Sequence, residues 1–408
     1  MSTLNETPLG ERLHIGIFGK RNAGKSSLLN AITGQDAAIV SPVKGTTTDP
    51  VSKTMELLPI GPAVLIDTPG IDDYSALGGS RVEKAKKILR KTDIALLVVD
   101  SREGLADEDR ELLDVFEETG IKYLIVYNKS DLSGLTGSPD LPEGAAPDGA
   151  AEGICVSSVT GENIYALKEK IAEISGAGAA PERRLIADLL DPGDVVVLVV
   201  PIDNAAPKGR LILPQQQVIR DILDGGAISI VTQTTGLAGA LQKLRYPPKL
   251  VVTDSQAFEQ VAGETPEGIG LTSFSILMAR YKGVLEQAAR GAKAIDSIKD
   301  GDRILIAEGC THHRQCDDIG TVKIPKWIEK HTGVKPVYEF TSGGGFPQDL
   351  SPYKLIIHCG GCMLNSREMD YRHKAANKAN APITNYGVAI SHMQGILERC
   401  TAPFKNSE

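Results

Sequence analysis

Two sets of residues have types and spacings suited to chemistry. The first is Gly19-Lys20-Arg21-Asn22-Ala23-Gly24-Lys25-Ser26, a G-x4-G-K-S loop followed by Ser27. Glycines in such a loop let successive backbone N–H groups turn inward around phosphate oxygens, and the helix that follows adds the positive end of its dipole. Lys25 then reaches the β- and γ-phosphates and the Ser26 hydroxyl binds Mg2+, so Gly19, Asn22, Ala23, Gly24, Lys25, Ser26 and Ser27 form the expected phosphate cradle. The second set is Cys310-Thr311-His312-His313 and, farther along, His358-Cys359-Gly360-Gly361-Cys362. Residue types alone leave three readings of it. These are a structural zinc ion on three thiolates and an imidazole, a [4Fe–4S] cluster on three thiolates with a different fourth ligand, and free cysteines among incidental histidines.

The loop is one of an ordered series. Val64-Leu65-Ile66 reads as a strand ending in Asp67-Thr68-Pro69-Gly70. Asp67 there is the carboxylate expected behind the Mg2+, and the Gly70 N–H is placed to sense the γ-phosphate. Tyr123–Tyr127 leads into Asn128-Lys129-Ser130-Asp131. The Asp131 carboxylate can accept from guanine N1–H and the exocyclic amine, a donor pair adenine lacks, which selects GTP. Ile154-Cys155-Val156 runs into Ser157-Ser158, whose backbone is expected to meet the base O6. Between the first two motifs lies Gly45-Thr46-Thr47-Thr48-Asp49, where Thr47 is the expected Mg2+-sensing hydroxyl and Thr46 and Thr48 are the alternatives. Lys25, Thr47 and Gly70 are therefore the expected catalytic groups.

The elements that must position these residues alternate between short apolar runs and amphipathic segments, the pattern of parallel sheets covered by helices. The first unit, a P-loop GTPase domain, is expected over residues 1–175. Its Gly- and Pro-rich stretch Ser133–Gly153 reads as a loop. Ser175–Pro181 reads as a linker. A middle α/β unit is expected over 182–264, opening with a helical stretch Glu182–Leu190. Strands follow at Val195–Ile202, Ile228–Gln233 and Leu250–Thr253, with helices at Gln215–Leu223 and Leu237–Leu244. A third α/β unit is expected over 268–408, with a long helix Thr272–Ala292. Strands Arg303–Ala307, Val337–Phe340 and Leu355–His358 and helices Ile319–His331 and Ser366–Lys378 complete it. Both cysteine clusters lie at the carboxyl ends of strands, so a parallel sheet brings them to one edge.

Composition narrows the function class. The chain has 408 residues, 41% apolar and 24% charged, which excludes a disordered or collagen-like protein. Six cysteines are too few for a disulfide scaffold, and four of them fall between 310 and 362, which favours metal binding. Met1–Thr7 lacks the basic-then-apolar pattern of a signal peptide, and no apolar run reaches the roughly 18 residues that span a bilayer. A cytoplasmic protein without membrane attachment is expected. The net charge of −8 and the lack of a basic cluster in the last two units argue against nucleic-acid binding. They also weigh against the alternative of an RNA-modification or ribosome-assembly GTPase with a structural zinc module. Cys155 is expected in a core. Cys316 and Cys400 are expected to be spare thiols, and His331, His373 and His392 surface or packing residues.

The order and spacing of the nucleotide motifs resemble those of small GTPases of the Era and MnmE type. Asn22 stands where the MnmE group has the asparagine that helps to bind K+, so the resemblance implies K+ in place of an arginine finger. Ile71 stands where Ras-like proteins carry a water-orienting Gln, which implies slow hydrolysis. The combination of these motifs with C-x-H and H-C-x-x-C in one chain resembles HydF, the family of [FeFe]-hydrogenase maturation GTPases. That resemblance implies a [4Fe–4S] cluster on Cys310, Cys359 and Cys362, with His312 or His358 as candidate fourth ligand. It further implies a middle domain that forms a homodimer and a transient di-iron precursor held on the last domain. Implied partners are radical-SAM maturases, which supply the precursor's parts, and the apo-[FeFe]-hydrogenase that receives it.

Overall fold

The computed structural model describes residues 7–34, 40–43, 52–68, 78–134, 153–176, 184–201, 211–309 and 318–405. Thr47, Gly70, Ile71, Cys310, His312, His313 and Cys316 lie outside the described residues. The chain divides into two units, Met1–Pro181 and Glu182–Glu408.

The first unit is built on β1 (Leu13–Phe18), β2 (Val40–Val43), β3 (Ser52–Leu57), β4 (Gly61–Asp67), β5 (Ile94–Asp100), β6 (Lys122–Asn128) and β7 (Gly153–Cys155). These form one sheet in the order β2-β3-β4-β1-β5-β6-β7. From β4 to β7 all pairings are parallel, while β3 runs antiparallel to both β2 and β4. Strand β5 is buried at every residue because side chains pack on both faces, as its continuous apolar run requires. Ile17, Leu65, Leu96 and Val126 pack on one face with Leu28 and Leu167. Phe18, Leu97 and Ile125 pack on the other with Phe116, where Cys155 is also buried. The parallel register places the carboxyl ends of β1, β4, β6 and β7 at one edge, which is where the nucleotide motifs lie.

The second unit holds two four-stranded sheets, both parallel throughout. The first comprises β8 (Val195–Val199), β9 (Ile228–Thr232), β10 (Leu250–Thr253) and β11 (Gly270–Ser273), in the order β11-β10-β8-β9. The second comprises β12 (Arg303–Glu308), β13 (Val337–Ser342), β14 (Leu355–His358) and β15 (Ile383–Asn385), in the order β13-β12-β14-β15. The two sheets share core: Val197, Val251 and Leu271 lie in one apolar cluster with Ala288, Ala292, Val388, Ile390 and Cys400. Cys400 is thus a packing residue.

Three expected helices are corrected. Thr272–Ala292 is not one helix. Residues 270–273 form β11, which pairs with β10 in the middle sheet, and the Ser273 hydroxyl then accepts from the Ile276 N–H and caps a new helix, Phe274–Tyr281. The chain turns at Gly283 before the helix Leu285–Ala292. In the stretch expected as helix Glu182–Leu190, the described part holds only a 3-10 turn, Ala187–Leu189. There the Asp221 carboxylate takes the N–H groups of Ile186 and Ala187 at 2.8 Å each and fixes the turn from outside. Ile319–His331 splits into a π turn, Ile319–Lys323, and a helix, Ile324–Thr332, with Pro325 in its first turn, where a missing N–H is tolerated. No helix among the described residues is long and apolar enough to cross a membrane.

Candidate functional site

The phosphate loop joins β1 to the helix Lys25–Thr33. Its bend depends on Gly24, which has φ +95° and where a Cβ would lie 2.2 Å from Asn128 Nδ2. Asn22 also has positive φ, +69°, a conformation Asn tolerates better than most residues. Lys25 is buried and folds back along the loop, its Nζ donating to the carbonyls of Gly19 at 2.9 Å and Lys20 at 2.8 Å. Ser26 and Ser27 are exposed at the helix start. Asp67 ends β4 in register with Ile17 of β1, and the Thr68 hydroxyl donates to the Ile17 carbonyl. These contacts bring the Lys25 and Asp67 segments to the same sheet edge.

The base-reading segment is tied directly to this loop. Asn128 Nδ2 donates to the Ala23 carbonyl at 3.1 Å, and its Oδ1 accepts from Ser158 N at 3.1 Å and Ser158 Oγ at 2.7 Å. The Ser157 hydroxyl donates to Asp131 Oδ1 at 2.6 Å. Asn128 thus bridges the phosphate loop and the Ser157-Ser158 turn, and Asp131 is held to the same turn by Ser157. Lys129 Nζ donates to the Asn22 carbonyl at 2.6 Å and to Asp100 Oδ2 at 2.8 Å. Asp100 was not singled out from sequence, although an aspartate closing an apolar strand at the carboxyl edge is a legible signal. Hydrogen bonds from Arg102, aided by Lys129, hold its carboxyl well below the usual carboxylate range. Lys20, Asn22, Asp100, Arg102 and Lys129 border a cavity of about 200 Å3 beside the loop.

In the second unit, β12 and β14 are adjacent and parallel, with Ala307 opposite His358. Cys359 therefore emerges beside Gly309, whose N–H donates to Cys359 Sγ at 3.0 Å. This contact brings the residue before Cys310 to the C-x-x-C loop. Gly361 has φ +65°, and a Cβ there would lie 2.7 Å from Met369 Sδ. It is Gly361, rather than Gly360, that needs to be glycine for the loop to turn. Burial pushes the Cys359 thiol up and the Cys362 thiol up to about 11. Neither of these half-buried thiols gives up its proton readily by itself, and a metal that replaces the protons removes that cost. The N–H to sulfur bond and the burial fit a thiolate-bound metal centre.

His358 is fully buried, and both its ring nitrogens are engaged. Nδ1 lies 2.7 Å from the Cys359 carbonyl and Nε2 lies 2.8 Å from Arg372 Nη1. Because Arg only donates, Nε2 accepts and Nδ1 carries the proton. Burial, with Arg372 adding to it, pushes the imidazole down to about 3. In this arrangement His358 braces the loop and has no lone pair left for iron. His373 is buried with Nδ1 3.0 Å from Gln287 Oε1, and His331 and His392 share Asp296 at 2.9 and 3.0 Å. The buried Arg372, Lys282 and Glu308 around the loop carried no sequence signal, since each stands in an ordinary polar context.

Comparison with known proteins is consistent with this layout. The family model of the hydrogen maturase F dimerization domain matches residues 185–283, and that of the hydrogen maturase F tetramerization domain matches 286–403. A 50S ribosome-binding GTPase model matches 14–129. The tRNA modification GTPase MnmE of Streptococcus thermophilus is 36% identical over 167 residues, 41% of this chain and 34% of that protein. GTPase Der of Kosmotoga olearia is 38% identical over 127 residues, 30% of this chain and 28% of that protein. The chain thus spans about a third of the length of these curated relatives. Among solved structures, the G domain of the T. maritima FeoB iron transporter is 25% identical with a TM-score of 0.31, covering 40% of this chain and 99% of its own. Aquifex aeolicus Era is 21% identical with a TM-score of 0.32, covering 54% and 92%. The first unit is a P-loop GTPase domain of the Era and MnmE type, and since the two maturase F domains together cover more than half of the sequence, the chain belongs to the HydF family.

Proposed function

We propose that this protein is a GTP-hydrolysing maturation factor of [FeFe]-hydrogenase. On this reading it carries a [4Fe–4S] cluster on Cys310, Cys359 and Cys362, holds a di-iron precursor and delivers it to the apo-hydrogenase. The observation that supports the reading is the Gly309 N–H to Cys359 Sγ contact, which brings the residue before Cys310 to the C-x-x-C loop in a HydF-family chain. The cluster supplies an iron at which a precursor can be held, because three thiolates leave one iron with an exchangeable ligand. His312 remains a candidate for that position.

GTP acts as a switch in this scheme. Lys25 neutralises the β- and γ-phosphates, and Ser26, Thr47 and Asp67 hold Mg2+. The Gly70 N–H senses the γ-phosphate, and Asp131 reads guanine. Asn22 helps to hold K+, whose fixed charge stands in for an arginine finger. The radical-SAM maturases and the hydrogenase are proposed partners, no nucleic-acid partner is proposed, and the proposed location is the cytoplasm.

The homodimer is proposed to form through the middle sheet. Strand β9 is its edge, with Ile228 and Val231 about half exposed and Leu223 exposed on the neighbouring helix Leu213–Asp224. Among the described residues no strand pairs with the outer side of β9, and an apolar edge of this kind offers its backbone groups to a second copy.

Iron, zinc and acid-labile sulfide analysis with EPR, on protein purified without oxygen, tests the reading. About four iron and four sulfide per chain, with the reducible signal lost in Cys359→Ala, is the expected result. One zinc and no sulfide overturns it in favour of a structural site.

A further inference from the structure

Two buried cations flank the Cys359–Cys362 loop. Arg372, 1% exposed, comes from the helix Ser366–Lys378. Its Nη1 meets His358 Nε2 at 2.8 Å, its Nη2 donates to the Gly343 carbonyl at 2.6 Å, and its Nε donates to Glu368 Oε1 at 2.8 Å. Lys282, 2% exposed, follows the helix Phe274–Tyr281. Its Nζ donates to the carbonyl of Leu364, two residues beyond Cys362, at 3.0 Å. Each cation holds a different end of the loop: Arg372 fixes the ring of His358, whose Nδ1 meets the Cys359 carbonyl, and Lys282 fixes the backbone just beyond Cys362. Glu308, 5% exposed and 3.3 Å from Tyr386 Oη, brings a buried carboxylate to the same place: it ends β12 one residue before Gly309, whose N–H meets Cys359 Sγ.

Burying cations is costly unless negative charge offsets them. Glu368 offsets part of Arg372 at its Nε. The loop itself, Cys359-Gly360-Gly361-Cys362, carries no carboxylate. A thiolate-bound iron–sulfur cluster is anionic and gains a further negative charge on reduction, and nearby charge and hydrogen bonding set its potential.

We propose that Arg372 and Lys282 are charge-compensating residues of this site, stabilising the reduced cluster, with Glu308 opposing them. The proposal rests on the cluster reading above. Both residues act through their field and through the loop they hold, and they are positioning residues. They also reach the loop from different domains. Lys282 lies in the stretch matched by the dimerization domain, and Cys362 and Arg372 in that matched by the tetramerization domain. The potential of the cluster therefore depends on how these two domains pack.

The test uses the full chain, purified without oxygen, as wild type and as Arg372→Gln, Arg372→Lys, Lys282→Met and Glu308→Gln. Iron and sulfide are counted, and the midpoint potential is read by EPR-monitored redox titration. The midpoint should fall in Arg372→Gln and Lys282→Met, rise in Glu308→Gln and move least in Arg372→Lys. A wild type without iron overturns the cluster reading and this proposal together. A loaded wild type whose midpoint is unmoved by any charge change at equal iron content overturns this proposal alone. Should Arg372→Gln fail to fold, Lys282→Met and Glu308→Gln decide the matter, because shifts of the same sign in these two also overturn it.

Discussion

Replacing Asp100 with Asn tests whether a single carboxylate keeps the base-reading segment on the phosphate loop. Asp100 ends β5, is 7% exposed and accepts from Lys129 Nζ at 2.8 Å. It also accepts from Arg102 Nε at 3.0 Å, Arg102 Nη2 at 2.6 Å and the Arg102 backbone N–H at 3.1 Å. Lys129 in turn donates to the Asn22 carbonyl. Asn keeps the shape but removes the charge, and turns one acceptor into a donor facing two cations. Arg102 is half exposed, so solvent screens its share. The Lys129 bond is largely sheltered, and a charge-assisted hydrogen bond contributes about 1.5–3 kcal/mol. The domain should lose about 2 kcal/mol of stability in a urea melt. If the bound nucleotide needs Lys129 on the loop, its release should quicken by up to about thirtyfold for the same free energy. Stopped-flow displacement of a fluorescent GDP measures this. A variant with wild-type release and an unchanged melt refutes the reasoning.

The pH dependence gives an independent check. Arg102, and then Lys129, hold the Asp100 carboxyl below its ordinary value in the folded state. A depressed folded pKa contributes stability that is fully present above the unfolded pKa, about 3.9, and is lost as pH falls toward the folded value. The stability gap between wild type and Asp100→Asn should stay level from neutral pH to about 5 and shrink below about 4. A gap that widens on acidification would sink the assignment.

Three further outcomes follow from the same geometry. Gly24→Ala forces a Cβ to within 2.2 Å of Asn128 Nδ2 at φ +95°, so GTP affinity measured by calorimetry should drop by more than about a hundredfold, the equivalent of roughly 3 kcal/mol. Gly361→Ala adds a left-handed backbone cost of about 1–2 kcal/mol to the clash with Met369, so iron bound per chain should fall while the GTPase unit keeps its nucleotide affinity. Val231→Asp places a charge on the exposed β9 edge, and light scattering should show a smaller assembly than wild type; an unchanged mass would remove β9 from the interface.

The elements that were legible in sequence are those whose signal is local. Leu250–Thr253, Leu355–His358 and Ser366–Lys378 appear with the expected bounds, because a bounded apolar run or a helical period specifies them without help from afar. Thr272–Ala292 failed because Thr272 and Ser273 fit a helix start as well as a strand end, and only pairing with β10 decides between them. The site shows the same division. The phosphate loop, Asn128-Lys129-Ser130-Asp131 and the C-x-x-C loop are contiguous and can be read directly. Asp100, Lys282 and Arg372 act across 29, 82 and 14 residues, and although the strand end marks Asp100 as an edge residue, the local sequence does not give the partner of any of the three. His358 was legible as a candidate ligand from its place before Cys359, and only Arg372 shows that its Nε2 is already taken.

Both units handle buried or half-buried positive charge in the same manner. Lys25 and Lys129 donate to carbonyls of Gly19, Lys20 and Asn22, and Lys282 and Arg372 donate to those of Leu364 and Gly343. A loop carbonyl is a neutral acceptor: it satisfies the cation's hydrogen bonds without cancelling its charge. A carboxylate would do both, as Glu368 does at one edge of Arg372 and Asp100 does at Lys129. In both places cations set the shape of the loop by bonding to its backbone carbonyls, and so bring positive charge to a segment that would meet an anionic ligand. The phosphates of GTP in the first unit and, on the proposed reading, a thiolate-bound cluster in the second are both anionic. The same reasoning bears on the two metal readings of the cysteine site: zinc on three thiolates is anionic too, so it is the charge gained on reduction that would favour a cluster. Buried cations beside a cluster that gains negative charge on reduction are favourable, whereas beside a zinc ion with no redox change they offer no such gain.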